Sequence, residues 1–151
     1  MDPAAPPLAW SNRQRGVPAA RLQFARACRI VGAAWPDVLA AERAGSVLPG
    51  LAEVHFVLVS DRRIAALHGE FMGDPSPTDV ITFLHGEVVI SAETALREAR
   101  ARGLPPAEEL ARYAVHGLLH LAGWLDSDPE AAAEMRQMQE KILRRAGRRL
   151  C

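Results

Sequence analysis

The sequence predicts an α+β fold: a small mixed β-sheet of about four strands covered by about five helices, with a metal site at the end of a buried helix. Three features carry that expectation. Short runs rich in β-branched residues alternate with segments whose apolar residues recur at helical spacing. The helical segments start or stop at recognisable capping residues. One of them, from Ala114 to Ala122, is apolar or glycine everywhere except at two histidines four residues apart, and a helix apolar all round is normally buried.

Taken in order, residues 1–7 are rich in proline and alanine and are expected to fray. Residues 19–34 read as a helix carrying Leu22, Ala25 and Ile30 inward, closed by Trp35-Pro36 because proline disfavours helix before it. Residues 36–50 are then a short helix or an irregular link. Residues 53–60 make a strand, with His55 on its surface. Residues 61–69 form a short helix with Ile64 and Leu67 as its core contacts. A loop with two prolines follows at 73–77. Strands come next at 79–84 and 87–90, joined through His85-Gly86. Ser91 caps a helix that runs to about Arg102. Gly103-Leu-Pro-Pro restarts the chain into the histidine helix, whose first turn carries Glu108 and Glu109 where acids suit the dipole. The last helix begins at Asp128-Pro129, with Asp128 as N-cap, and lines up Ala131, Met135, Met138 and Ile142 on one face as core packing.

The 151 residues make one domain, 1–151, large enough to bury a core. Eighteen basic and eighteen acidic side chains cancel, so no global charge favours nucleic acid. The one dense basic group, Arg144, Arg145, Arg148 and Arg149, reads equally well as a solvated helix end complementing the dipole. Cys28 and Cys151 make no disulfide framework, and reduced thiols suit a cytoplasmic location. No apolar run reaches membrane-spanning length, and the first residues lack the basic and apolar regions of a signal peptide.

The chemistry sits in His116-Gly-Leu-Leu-His120-Leu-Ala-Gly123-Trp-Leu-Asp126. Residues four apart share a helix face, so both imidazoles can address one cation. Gly123 permits the left-handed turn that ends a helix, and Asp126 follows as a third ligand. Two histidines and a carboxylate are an accepted zinc set with a fourth position open to water, one ion per chain. Gly117 stands where zinc proteases of the HExxH type carry their general-base glutamate, which makes a peptidase a poor reading.

These residues resemble the YbeY family of bacterial metal-dependent endoribonucleases, also described as ribosomal RNA maturation factors. The family signature H-G-x-L-H-L-x-G-Y-D-H is similar to residues 116–126, and a second block, P-T-D-V-L-S-F then G-D-I-V-I-S, is matched by Pro77-Thr-Asp79-Val-Ile-Thr-Phe83 and Gly86-Glu87-Val-Val-Ile-Ser91. The likeness covers residues 51–143. It also makes residues 8–11 a short strand. It implies a single-strand-specific endoribonuclease of ribosomal RNA maturation and ribosome quality control, with the small ribosomal subunit and its RNA as partners and neither DNA nor a membrane expected. Glu87 and Asp79 fall where the family keeps acidic residues and are candidates for a base or for support behind the ligands. Their plainer readings are a strand-edge acid and a turn former.

Two departures stand out. The family's third histidine falls on Asp126, and a carboxylate there leaves a bound metal less positive by about one charge unit. An arginine that relatives are thought to set against RNA phosphate falls on Met72, and a neighbouring lysine falls on Asp74. A ribosome-associated factor with a structural metal and little catalysis is therefore the rival reading, with a metallopeptidase third.

Overall fold

The computed structural model describes residues 5–17 and 20–150, with Ala20 and Arg21 in backbone only. Met1 to Ala4, Ala19 as the expected helix start, and Cys151 lie outside the described residues. Strands β1 (Leu8–Asn12), β2 (Val54–Val59), β3 (Val80–Phe83) and β4 (Glu87–Ser91) form one sheet in the order β1-β2-β4-β3. β1, β2 and β4 run parallel, and β3 lies antiparallel on β4. With five α-helices the molecule is α+β and its sheet mixed, as the sequence predicts. Of the segment expected to fray, Pro6 is buried and the Pro7 carbonyl accepts the Val54 N–H at 2.9 Å.

Strand side chains alternate between two cores. Val54, Phe56, Leu58, Val88 and Ile90 face the larger one. Val57, Val59, Ile81 and Val89 face a smaller one beneath α2 (Asp61–Met72), closed by Ile64. The central strands are thus covered on both faces, as parallel strands require. Helices α1 (Ala20–Ala40), α3 (Ala92–Arg102), α4 (Pro106–Leu121) and α5 (Pro129–Arg149) build the larger side, with α4 packed against all three others and against β3 and β4.

The expected stop at Trp35-Pro36 is corrected: α1 continues through Pro36 to Ala40. Pro36 and Gly32, whose carbonyl loses its donor, both face solvent, where water replaces the missing bond. The opposite side buries Ala27, Val31, Ala34 and Val38 completely. Burial of that stripe outweighs one lost hydrogen bond. The inward face is therefore not the expected one, since Leu22 is 56% exposed, Ala25 is exposed and Ile30 only half-buried. α2 also outruns its expected end, passing Gly69 to stop at Gly73 with φ +73°. Pro75 folds back onto Gly69, where a Cβ would stand 3.3 Å from Pro75 Cα, so the small residue serves loop packing rather than termination. The Ser91 and Asp128 caps form as expected, accepting the N–H groups of Thr94 at 3.2 Å and Ala131 at 2.8 Å.

Candidate metal centre

Gly117 sets how closely α4 approaches the sheet. A Cβ there would lie 2.6 Å from Val88 Cγ1 and 3.0 Å from Thr82 Oγ1, so any larger residue forces those side chains or the helix to shift. The position that would carry a protease glutamate is thus pressed into the sheet. On either side of Gly117 the helix turns Val115 and Leu118 into the core, and His116 and His120 emerge together on its single open face.

Each imidazole has its Nδ1 committed. His120 Nδ1–H donates to the Trp124 carbonyl at 3.0 Å, and His116 Nδ1–H donates to Gln139 Oε1 of α5 at 2.9 Å. A neutral ring with a proton on Nδ1 carries a bare lone pair on Nε2. Burial, the largest influence, pushes the His116 pKa below its ordinary value; the Gln139 bond opposes this and His120 adds to it. His116 is therefore neutral at pH 7.

Beyond α4 the chain is held from a distance. Arg43 and Val47 N–H groups donate to the terminal carbonyls of Ala122 and Leu121, both at 2.9 Å. Gly123, at φ +99°, turns where a Cβ would meet Ser46 N at 2.9 Å. Trp124 is pinned by its Nε1–H on the Ala41 carbonyl at 2.9 Å and by the Arg43 guanidinium 3.4 Å above its ring. This anchor swings Asp126 back over the histidines.

Asp126 Oδ2 lies 3.3 Å from His120 Nε2 and 3.6 Å from His116 Nε2, and the two Nε2 atoms are 3.1 Å apart. Two tetrahedral ligands about 2.0–2.1 Å from zinc are separated by roughly 3.3 Å. The three edges match one face of such a tetrahedron. Imidazole lone pairs and a carboxylate oxygen brought this close repel one another, and a cation among them would remove that repulsion. The donor set fits a metal. His116, His120 and Asp126 are also the one group of three or more such side chains found together among the described residues. Asp128 is spent on its cap.

The centre opens into a cavity of about 410 Å³ walled by Met72, Leu84, Leu125 and residues of β3. Asp79 lines it beside His116 and is close enough for its charge to oppose the effect of burial on that ring. The Asp79 Oδ1 meanwhile accepts the Val80 N–H at 2.8 Å. Glu87 is elsewhere. It precedes inward-facing Val88 by one residue, so its side chain projects to the α2 side of the sheet, beside Arg13 and Arg63. The candidate role for Glu87 at the metal is corrected by strand phase alone. Met72 is 59% exposed on the cavity wall, in the segment where relatives carry the arginine. Sequence reasoning missed Gln139 and the Trp124 carbonyl. The signal for Gln139 was a polar residue four positions after Met135 and three before Ile142, inside an apolar stripe.

Comparison with known proteins points to one family. Residues 33–147 match the family model described as "Endoribonuclease YbeY". Among curated relatives, "Endoribonuclease YbeY" of Moorella thermoacetica is 37% identical over 131 residues, covering 74% of this chain and 84% of that one. Its namesake in Anaeromyxobacter sp. (strain Fw109-5) is 41% identical over 106 residues, covering 64% of this chain and 55% of the other. The chain thus spans about half the length of the Anaeromyxobacter relative and most of the Moorella one. A solution structure of a Thermotoga maritima protein shares the fold at a TM-score of 0.54 and 22% identity, covering 92% of this chain and 88% of that one.

Proposed function

The chain belongs to the endoribonuclease YbeY family, and from that premise we propose that it is a zinc-dependent endoribonuclease cutting single-stranded RNA during ribosomal RNA maturation. The observation that carries the reading is the convergence of His116 Nε2, His120 Nε2 and Asp126 Oδ2 at the edges of a tetrahedral face. These three would hold the ion, one per chain, leaving the cavity side open.

When bound, the ion supplies a lowered pKa for a water molecule and polarisation of a phosphoryl oxygen. The chain's own residues do the rest. Gln139 and the Trp124 carbonyl hold both rings in the tautomer that ligates. Asp79, beside His116 in the same cavity, is the carboxylate available to take the proton released by water. Its Oδ1 also accepts the Val80 N–H. Met72, Leu84 and Leu125 offer no cation to the phosphate, so binding at the centre itself is weak.

Association with the small ribosomal subunit and a cytoplasmic location follow from the same reading. No described helix is long and apolar enough to cross a membrane. A second reading, a ribosome-associated factor whose metal is structural, draws on Met72 and Asp74 in place of two cations. Metal analysis together with cleavage of an unstructured RNA separates them. The proposal requires about one zinc per chain and metal-dependent cleavage that is lost in His116→Ala. Zinc retained with no cleavage by the wild type would establish the second reading.

A further inference from the structure

The cavity at the metal centre does not end at His116. Thr78, Asp79 and His116 also border a second hollow of about 480 Å³. That hollow in turn shares Arg112 and Glu140 with a third, of about 740 Å³, where α1, α4 and α5 meet. The three follow one another along α4, each sharing wall residues with the next, and are taken together as one trench. From His116 back to Glu108 the helix covers roughly 12 Å at its usual rise.

The far end of the trench is set apart by its charge. Four arginines line it against two glutamates, in a chain whose total charge is zero. Arg112 is already engaged by Glu108, Glu109 and Glu140. Arg26 and Arg29 on α1 and Arg144 on α5 pair with no carboxylate among the described residues, and all three are exposed. The nearby Arg145 and Arg149 are different, because they reach across to Asp37. Between the three uncommitted guanidinium groups the floor is apolar, made by Ile30, Pro105, Ala107 and Leu143.

That combination suits a nucleotide. Guanidinium groups bind phosphate through paired N–H donors and also stack on bases, and an apolar floor accepts a base face. Every basic side chain apart from Lys141 is an arginine. Resting on the reading of the metal centre as an RNA-cleaving site, we propose that the substrate strand continues from that centre along α4 and is anchored in the pocket formed by Arg26, Arg29 and Arg144. This anchor supplies, at the far end of the trench, the phosphate contact that Met72 does not supply at the centre. Arg136, in the middle hollow and without a carboxylate partner among the described residues, flanks the path between.

The test uses the full-length zinc-loaded protein, a triple variant Arg26→Gln/Arg29→Gln/Arg144→Gln, and a charge-matched control, Arg62→Gln/Arg63→Gln/Arg100→Gln, on exposed positions away from the trench. Binding of unstructured RNAs of about four and about twelve nucleotides is measured against salt, lengths within the span of single-strand sites. The triple variant is expected to bind the longer RNA at least about tenfold more weakly, with a salt slope lower by about two. Its affinity for the shorter RNA, and its turnover of it, stay at the wild-type level. Wild-type affinity and slope in the triple variant would overturn the proposal and leave the pocket to a protein partner. An equal loss in the control would overturn it too, by reducing the effect to net charge. The nuclease reading fails separately: absence of cleavage in every protein, with the triple variant still losing affinity for the longer RNA, removes the catalysis and keeps the track.

Discussion

Gln139 on α5 accepts the Nδ1–H of His116 on α4 across 2.9 Å, joining residues twenty-three apart in the chain. It is 7% exposed and sits between Met135 and Ile142 on the buried side of its helix. An amide oxygen in that position fixes the ring that ligates.

Removing it therefore reaches the metal before the fold. Gln139→Leu keeps the volume and suits an apolar stripe, so the protein is expected to stay folded while zinc affinity drops roughly ten- to a hundredfold. Gln139→Glu, which keeps an acceptor, is expected to retain most of the affinity. Competition with a chromogenic chelator measures both. Wild-type affinity in the leucine variant would remove Gln139 from the centre.

Asp126 and Asp128 separate ligand from cap. Asp126→Ala is expected to weaken zinc binding strongly with little effect on the apo fold. Asp128→Ala is expected to leave zinc in place and cost about 1 kcal/mol in urea unfolding, because it removes the acceptor for Ala131 N–H. Asp126→His keeps binding and raises hydrolysis, since a neutral ligand leaves more charge on the ion. The reverse pattern, with zinc lost only in Asp128→Ala, would reassign the third ligand.

Gly117 tests the comparison with proteases. Gly117→Glu does not create a general base, since the first side-chain carbon already collides with Val88 and Thr82. Gly117→Ala alone is expected to destabilise by about 1–3 kcal/mol, the usual range for overpacking. A midpoint in urea unchanged from wild type would show that α4 can lift from the sheet.

Local signals made most of the centre legible. The four-residue histidine spacing, the glycine at a positive-φ turn and the caps at Ser91 and Asp128 act within a few residues, and all formed. What failed depended on distant surfaces. Pro36 is tolerated because the opposite face of α1 is buried, which its own neighbours do not announce. Glu87 looked available because nothing in its strand says which sheet face α4 covers; with Val88 facing α4, strand alternation sends Glu87 the other way. Gln139 needed α5 packed on α4 before its role existed.

The acid limb of stability is expected to run through Asp61. Desolvation raises its pKa, but bonds from Arg97, Ser91 and Thr94 outweigh this and hold the carboxyl below the usual carboxylate range. The unfolded chain, with a value of about 3.9, therefore takes up the proton first as pH falls. The stabilisation is complete above that value and disappears as pH drops through the folded one. Asp61→Asn should lower the unfolding midpoint at neutral pH and flatten its fall in acid. A variant losing stability as steeply as wild type in acid would assign that limb to other carboxylates.

Met72 offers the most direct test of what this chain gives up at its centre. The side chain is 59% exposed on the wall of the cavity that also holds His116, His120 and Asp126, and it makes no hydrogen bond to the ligands. Met72→Arg places a guanidinium where a phosphate would enter, and a charge-assisted pair is roughly twice as strong as a neutral one. Cleavage of single-stranded RNA is therefore expected to rise, chiefly through tighter binding, so that KM falls while zinc content stays at one per chain. The gain should shrink as salt increases, since it is electrostatic. Met72→Leu is the control for shape and should leave both constants near wild type. If arginine raises affinity without any rise in cleavage at saturating RNA, the centre binds but does not cut, and the structural-metal reading gains. If neither affinity nor cleavage changes, phosphate does not enter past residue 72, and the substrate's approach lies along α4 alone.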